Sequence, residues 1–309
     1  MRRFRFGYQA GGTDPIKLIG SAQAAEEAGF DVFHTSDHMG DHLSALAPLA
    51  AVAAATATIR VCPLVLNNDF HHPVTLAQEL ATLDRLSGGR LEVGIGAGHS
   101  FTEYSAMGVA FDPPAVRKER LAESVELLRR LLDGDTVTHD GRHYHLDHAR
   151  TLRPQQVHVP ILVGVNGKKS LAHAAHHADA IALTMLGRTL QDGQNHEVRW
   201  QADRLDATIA WVKSHTPHQR SSPELNALVQ AVVVTEDRAA AAEDLAGRIP
   251  GLGLEDALTT PFLALGTHDE IARHLVACRQ RWGISYYSVR DMDTFSPVIQ
   301  RIRSWESAS

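Results

Sequence analysis

Eight short apolar runs recur along this chain, nearly every one followed by a helix-like segment, and that alternation limits the fold more than any single motif does. The runs are FRFGYQ (4–9), DVFHTS (31–36), IRVCPLVL (59–66), LEVGIG (91–96), PILVGV (160–165), AIALT (180–184), ALVQAVVV (227–234) and ISYYSV (284–289). Asp14-Pro15 supplies an N-cap and a first-turn proline, and Gly29 closes the helix that follows. Further helices are expected at 44–56, from Pro73 to Leu86 before Gly88-Gly89, and at 116–132, where Val125, Leu128 and Leu132 mark the apolar stripe. Others fit 168–177, 199–214, 237–248, 268–281 and from about 296 onward. Strand–helix alternation of this length reads as one (β/α)8 TIM barrel spanning 1–309. Asp140-Gly141 signals a hairpin inserted at 134–150, and a second insertion falls around 250–270. A doubly wound open sheet is the competing architecture, but it would want a G-x-G-x-x-G turn after the first strand, where Ala10-Gly11-Gly12-Thr13 stands.

Composition narrows the class. A content of 44% hydrophobic and 21% charged residues suits a soluble globular protein. A net charge of -6 argues against nucleic acid or an acidic membrane as partner. Two cysteines, Cys62 and Cys278, imply no disulfide framework and fit the cytoplasm. No run of about 18 apolar residues appears, and the basic start MRRFRFGYQAGG lacks the apolar stretch of a signal peptide.

In such a barrel, chemistry belongs at the C-terminal strand ends. The second run ends there in SDHMGDH, which gathers Ser36, Asp37, His38, Asp41 and His42. A metal site is one reading, since His38 and His42 are four apart, but Met39-Gly40 between them reads as loop. No further ligand set stands at the other strand ends, and no catalytic metal is expected. Nucleophilic catalysis lacks a G-x-S-x-G turn, and neither cysteine ends a strand. Paired carboxylates across a cleft would have to be Asp37 and Asp291. Gly94, Gly96 and Gly98 would bare one face of the fourth strand to a flat ring, or simply allow tight packing. Gly164-Val165-Asn166-Gly167-Lys168-Lys169 leads from strand to helix and suits an anion, or is a routine turn.

Three blocks taken together, GFDVFHTSDHM, VLNNDFHHPVTLAQELATLDRLSGGRLEVGIGAG and PILVGVNGKKSLAHAAHHADAIALT, resemble the luciferase-like monooxygenase superfamily, and most of all its actinobacterial branch of oxidoreductases dependent on coenzyme F420. The resemblance runs over essentially the whole chain, and it implies a bacterial luciferase-like barrel binding a flavin-like ring at its top. It places His38 at the reactive edge of the ring as the catalytic group, with Asp37 orienting it. It implies a non-prolyl cis peptide at Leu64–Val65 behind the ring, Asn67 at the pyrimidine end, and Gly96, Ala97 and Gly98 as the floor. Gly164, Asn166, Gly167, Thr184 and Arg188 match phosphate and ring contacts. His42, His99, Tyr104 and Trp200 are candidates for the substrate pocket. His99 stands where the family's sugar-phosphate dehydrogenases carry a glutamate, so the glucose 6-phosphate reaction is not expected. The resulting expectation is a cytoplasmic, homodimeric oxidoreductase moving a hydride between F420 and a small organic substrate. An FMN-dependent monooxygenase on the same barrel, a metal-dependent barrel hydrolase and a catalytically silent flavin-binding barrel are the alternatives.

Overall fold

The computed structural model describes residues 1–189, 196–218 and 221–307, without the side chains of 188 and 189. Its first part runs β1 (Arg5–Gln9), α1 (Pro15–Glu27), β2 (Val32–Thr35), α2 (Leu46–Ala55), β3 (Arg60–Pro63), β4 (Leu66–Asn67), α3 (Pro73–Leu86) and β5 (Val93–Gly96). The local signals act as their chemistry dictates. Asp14 accepts bonds from the Ile16 and Lys17 amides, and Pro15 and Pro73 each occupy a first turn where no amide is missed. Next come α4 (Phe101–Met107), α5 (Pro114–Leu132), β6 (Val137–Asp140), β7 (His145–Ala149), β8 (Ile161–Val165), α6 (Lys168–His177) and β9 (Ala180–Leu183). β6 and β7 pair antiparallel and form the expected hairpin. The chain ends with β10 (Leu186–Thr189), β11 (His196–Val198), α7 (Ala202–His215), β12 (Glu224–Leu228), β13 (Ala231–Val234), α8 (Arg238–Arg248), α9 (Leu254–Thr259), β14 (Leu263–Gly266), α10 (His268–Trp282), β15 (Ile284–Val289) and α11 (Met292–Ser307).

The main sheet has the order β3-β2-β1-β15-β12-β9-β8-β5-β4, parallel throughout. β3 and β4 are two halves of one strand, so the two ends of that order are the same run and the sheet closes into an eight-stranded barrel. β3 pairs with β2, β4 pairs with β5, and a bridge from Val61 to Leu91 joins the seam. The break between the halves is the Leu64–Val65 peptide, which is cis.

Two expectations need correction. ALVQAVVV is not one strand. β12 belongs to the barrel, whereas β13 leaves it and pairs with β14, because the chain crosses over at Gln230, whose amide donates to Phe262 O. The last helix begins at Met292 rather than near 296, with Pro297 in its second turn. The helix α4 and the antiparallel pair β10–β11 have no counterpart in the apolar pattern.

The large apolar core lies between barrel and helices, with Phe6, Phe33, Val61, Ile95, Ile161 and Ile181 among its members. The barrel lumen is partly polar. His34 is fully buried there; its Nδ1 lies 3.1 Å from Cys62 O and its Nε2 3.0 Å from the Tyr286 hydroxyl. Gly7 leaves the room that this imidazole needs, since a Cβ there would overlap it. Below it Arg5 joins Glu92 to Glu224. Burial holds His34 down to about 4, so it serves as a neutral hydrogen-bonding pedestal. Among the described residues no helix is long and apolar enough to cross a membrane.

Candidate active site

The C-terminal ends of the barrel strands bring together the end of β2, the β3–β4 break, the segment after β5 and the loop after β8. At the break, Leu64 O accepts from Gln9 Nε2 at 2.9 Å, and Gln9 Oε1 in turn accepts from Arg290 Nε at 2.9 Å. The Val65 side chain, half-buried, stands over Gly96 and Gly164: a Cβ on Gly96 would lie 2.9 Å from Val65 Cγ2, and one on Gly164 3.4 Å from it. The glycines therefore do not present a bare face to a ring. They make room for Val65 and for the close approach of β3, because a Cβ on Gly94 would collide with Pro63 O. Any flat ligand here would rest on Val65.

Asp37 is buried, and its Oδ2 accepts from the Asn67 amide at 2.8 Å and from His71 Nε2 at 3.0 Å. Its task is to fix the turn after β4, not to orient His38. The His38 imidazole is oriented instead by Glu103, a residue of α4: Nδ1 lies 2.9 Å from Glu103 Oε1. With Nδ1–H donated to the carboxylate, Nε2 is the free ring atom at the partly exposed edge. His42 and His99 flank His38 with ring centroids 6.0 and 5.8 Å away, and His196 lies 5.8 Å from His99. Crowding by protein, and then the imidazoles of His38 and His196, hold the His99 pKa below its ordinary value, although the ring's outer side stays open.

Tyr104 is not in a substrate pocket. It is fully buried beneath the floor, where its hydroxyl donates to Asn67 Oδ1 or Asp69 Oδ2, 3.1 and 3.0 Å away, and it lies where a Cβ on Gly98 would go. Burial and then Asp69 push its pKa up to about 12. Ala97 and Gly98 turn their carbonyls to Arg117, and Gly98 adopts φ +72°, which glycine tolerates best. Trp200 is likewise taken up by the core, its ring stacked on Phe262 at 5.4 Å.

The loop after β8 has a cation that the sequence did not flag. Lys118, on α5, donates to Asn166 Oδ1 at 2.8 Å and to Asn166 O at 3.1 Å, and burial, then Arg117, lowers its pKa. Gly167 sits at the N-terminus of α6 with φ +85°, and no side chain caps that helix. Lys168, by contrast, lies over the Trp211 ring at 4.9 Å. Asn166, Gly167, Met185, Arg199, Arg204 and Thr208 line a cleft of about 540 Å³. Thr184 is half-buried at the end of β9. Arg188 lies in β10, and its side chain is outside the described residues. A larger cleft, about 1190 Å³, opens between Phe4 and Arg303 at the opposite end of the barrel, away from the strand ends that carry chemistry.

Comparison with known proteins agrees with the fold. The profile of the family described as "Luciferase-like monooxygenase" matches residues 3–286. An F420-dependent glucose-6-phosphate dehydrogenase of Nakamurella multipartita is 36% identical over 190 residues, 58% of this chain and 56% of that relative. The chain thus matches little more than half of that relative's length. One of the same name from Beutenbergia cavernae is 30% identical over 260 residues, covering 78% of this chain and 77% of its own. The solved structure of an F420-dependent secondary alcohol dehydrogenase in complex with an F420-acetone adduct superposes with a TM-score of 0.75 at 19% identity, over 97% of this chain and 98% of that one.

Proposed function

The chain belongs to the luciferase-like monooxygenase family, and from that premise we propose that it moves a hydride between coenzyme F420 and a small organic alcohol or carbonyl compound. The observation that carries this reading is the His38–Glu103 pair at the barrel mouth. Relatives named as F420-dependent dehydrogenases support the cofactor. The chain's own residues fit it too. The space that a Cβ would fill at Gly96 and Gly164 lets Val65 form a seat for a flat ring. The open amides of α6 with Lys118 suit a phosphate. In this reading Leu64, Val65, Asn67, Gly96, Ala97 and Gly98 hold the ring. Gly164, Asn166, Gly167, Thr184 and Arg188, joined by Lys118, hold the phosphate-bearing tail.

F420, when bound, supplies the hydride chemistry, which no side chain can perform. The protein's part is position and a proton. Nε2 of His38 takes the hydroxyl proton as an alcohol is oxidised, or returns it to the oxygen as a carbonyl is reduced. Glu103 holds the tautomer and balances the imidazolium charge. His42 and His99 stand beside His38 as substrate contacts. The sugar phosphate of the named relatives is not carried over, because His99 replaces the glutamate expected there and the nearest carboxylate comes from α4. A cytoplasmic homodimer completes the reading.

The test uses His38→Ala with F420, a panel of small alcohols and ketones, and three readouts: cofactor affinity, melting temperature and single-turnover hydride transfer. Affinity should stay within a few-fold and transfer should fall by about 10²–10⁴, the usual worth of a positioned proton-transfer group. Unchanged transfer in folded, loaded His38→Ala would sink the assignment.

A further inference from the structure

We propose that Glu126, His173 and His177, on the outer face of the barrel, bind one divalent transition-metal ion of the zinc type. His173 and His177 lie four apart on α6, so their imidazoles project from one face, and the rings stack with centroids 4.4 Å apart. Glu126, on the neighbouring helix α5, reaches across to both: its Oε1 lies 2.9 Å from His173 Nε2 and 3.7 Å from His177 Nε2. All three donor atoms fall within 4.8 Å of one another.

The spacing is that of a coordination shell. Nitrogen and carboxylate ligands sit about 2.0–2.2 Å from zinc, so tetrahedral neighbours are about 3.3–3.6 Å apart. The two separations from Glu126 Oε1 bracket that range to within half an ångström, and small side-chain rotations bring them to it. Two imidazoles and one carboxylate form a borderline donor set that favours zinc, copper or nickel over calcium or magnesium. Three protein ligands leave one position for water, as in open zinc sites. The charge is also suitable. With both imidazoles neutral the set carries one negative charge, and Arg129, one turn along α5, is matched by Asp179 at 2.7 Å and Asp133 at 3.8 Å. His176, next to His177, has its Nδ1 2.9 Å from Ala172 O. The ion would take the place of the His173–Glu126 hydrogen bond, with the His173 ring proton then carried on Nδ1.

The consequence is a staple between α5 and α6. These helices carry Lys118 and the Gly167 turn, the two halves of the phosphate loop, so the ion would brace that loop from outside. The site itself does not depend on the cofactor reading.

The experiment is calorimetric titration of the untagged full-length chain with zinc sulfate, compared with His173→Ala/His177→Ala, Glu126→Gln and a control, His145→Ala, from the exposed hairpin. One equivalent should bind to the wild type and to the control. The double variant should lose that equivalent, and Glu126→Gln should bind it about tenfold or more weakly, since losing a ligand costs no less than losing a ligand's hydrogen-bond partner. Zinc should raise the melting temperature of the wild type and not of the double variant. Cobalt(II) in place of zinc should give the visible spectrum of a low-symmetry site only where the three ligands are present. No stoichiometric binding by the wild type, or equal binding by the folded double variant, would overturn the proposal.

Discussion

Replacing Gly96 by alanine tests the seat directly. The new methyl would lie 2.9 Å from Val65 Cγ2, whereas carbon atoms pack best at about 3.5–4.0 Å, so Val65 must yield by half an ångström or more. Its backbone is not free to do so. Leu64 O is held by Gln9, Gln9 by Arg290, and the Asn67 amide by Asp37. The side chain must therefore swing toward the open mouth, into the space proposed for the ring. Overpacking of this kind costs about 1–3 kcal/mol. In the free protein the outward swing relieves most of it. With the cofactor bound that escape is blocked, so the cost appears in binding and raises Kd by about 5- to 150-fold. Val65→Ala removes the obstacle, and Gly96→Ala/Val65→Ala should bind F420 about as well as Val65→Ala alone. The assay is a fluorescence titration of F420 against the four proteins of that cycle, with melting temperatures as a check on folding. Equal Kd in the wild type and Gly96→Ala, or no recovery in the double variant, would refute the reasoning.

Lys118→Ala should weaken F420 binding by about tenfold or more, the scale of a hydrogen bond to a charged group, whereas Lys213→Ala, far along α7, should leave Kd unchanged in the same titration. Glu103→Gln keeps the shape of the His38 contact but removes its charge. Steady-state kinetics should give a lower kcat with F420 affinity within a few-fold of wild type. Acid should destabilise the fold through His34. Its folded pKa, about 4, lies below the ordinary 6.5, so the unfolded chain binds more protons and stability falls as pH drops from about 6.5 toward 4, by about 3 kcal/mol at most. Melting temperatures at about pH 7 and pH 5 should differ in the wild type and differ less in His34→Gln. Glu26, held down to about 2 by the amides of Thr58 and Ile59, loses its contribution only in a lower window, as pH falls through about 4.5 toward 2.

The barrel was legible because its determinants are local and periodic. Capping residues, first-turn prolines and apolar strands announce themselves at fixed spacing, and seven of the eight barrel strands fall on an apolar run, β12 only touching the start of its own. ALVQAVVV misled because an apolar run does not name its partner: β12 is buried in the barrel, β13 is only half-buried where it pairs with β14, and the turn at Gln230 is silent in the pattern. The site was half legible. His38, the Leu64–Val65 break and the Asn166-Gly167 turn lie where the motifs put them. Glu103 and Lys118 do not, since each sits on a helix and reaches the site only through the tertiary fold. A seven-residue helix such as α4 leaves almost no periodic trace, although Glu103, four residues after His99, is its one acid. Gly94 and Gly96 allowed two readings, a bare face or tight packing, and the second is what they serve, because a glycine in sequence says that something comes close and not what it is. Tyr104 and Trp200 look like substrate contacts for the same want of depth, and only burial tells a supporting ring from an exposed one.

The account stands most directly on one titration, of the cofactor-free protein with F420 and with FMN side by side. F420 should bind saturably and the tighter of the two, at one equivalent per chain. FMN binding at least about tenfold tighter, a difference of about 1.4 kcal/mol, would contradict it and turn the same barrel into a flavin enzyme.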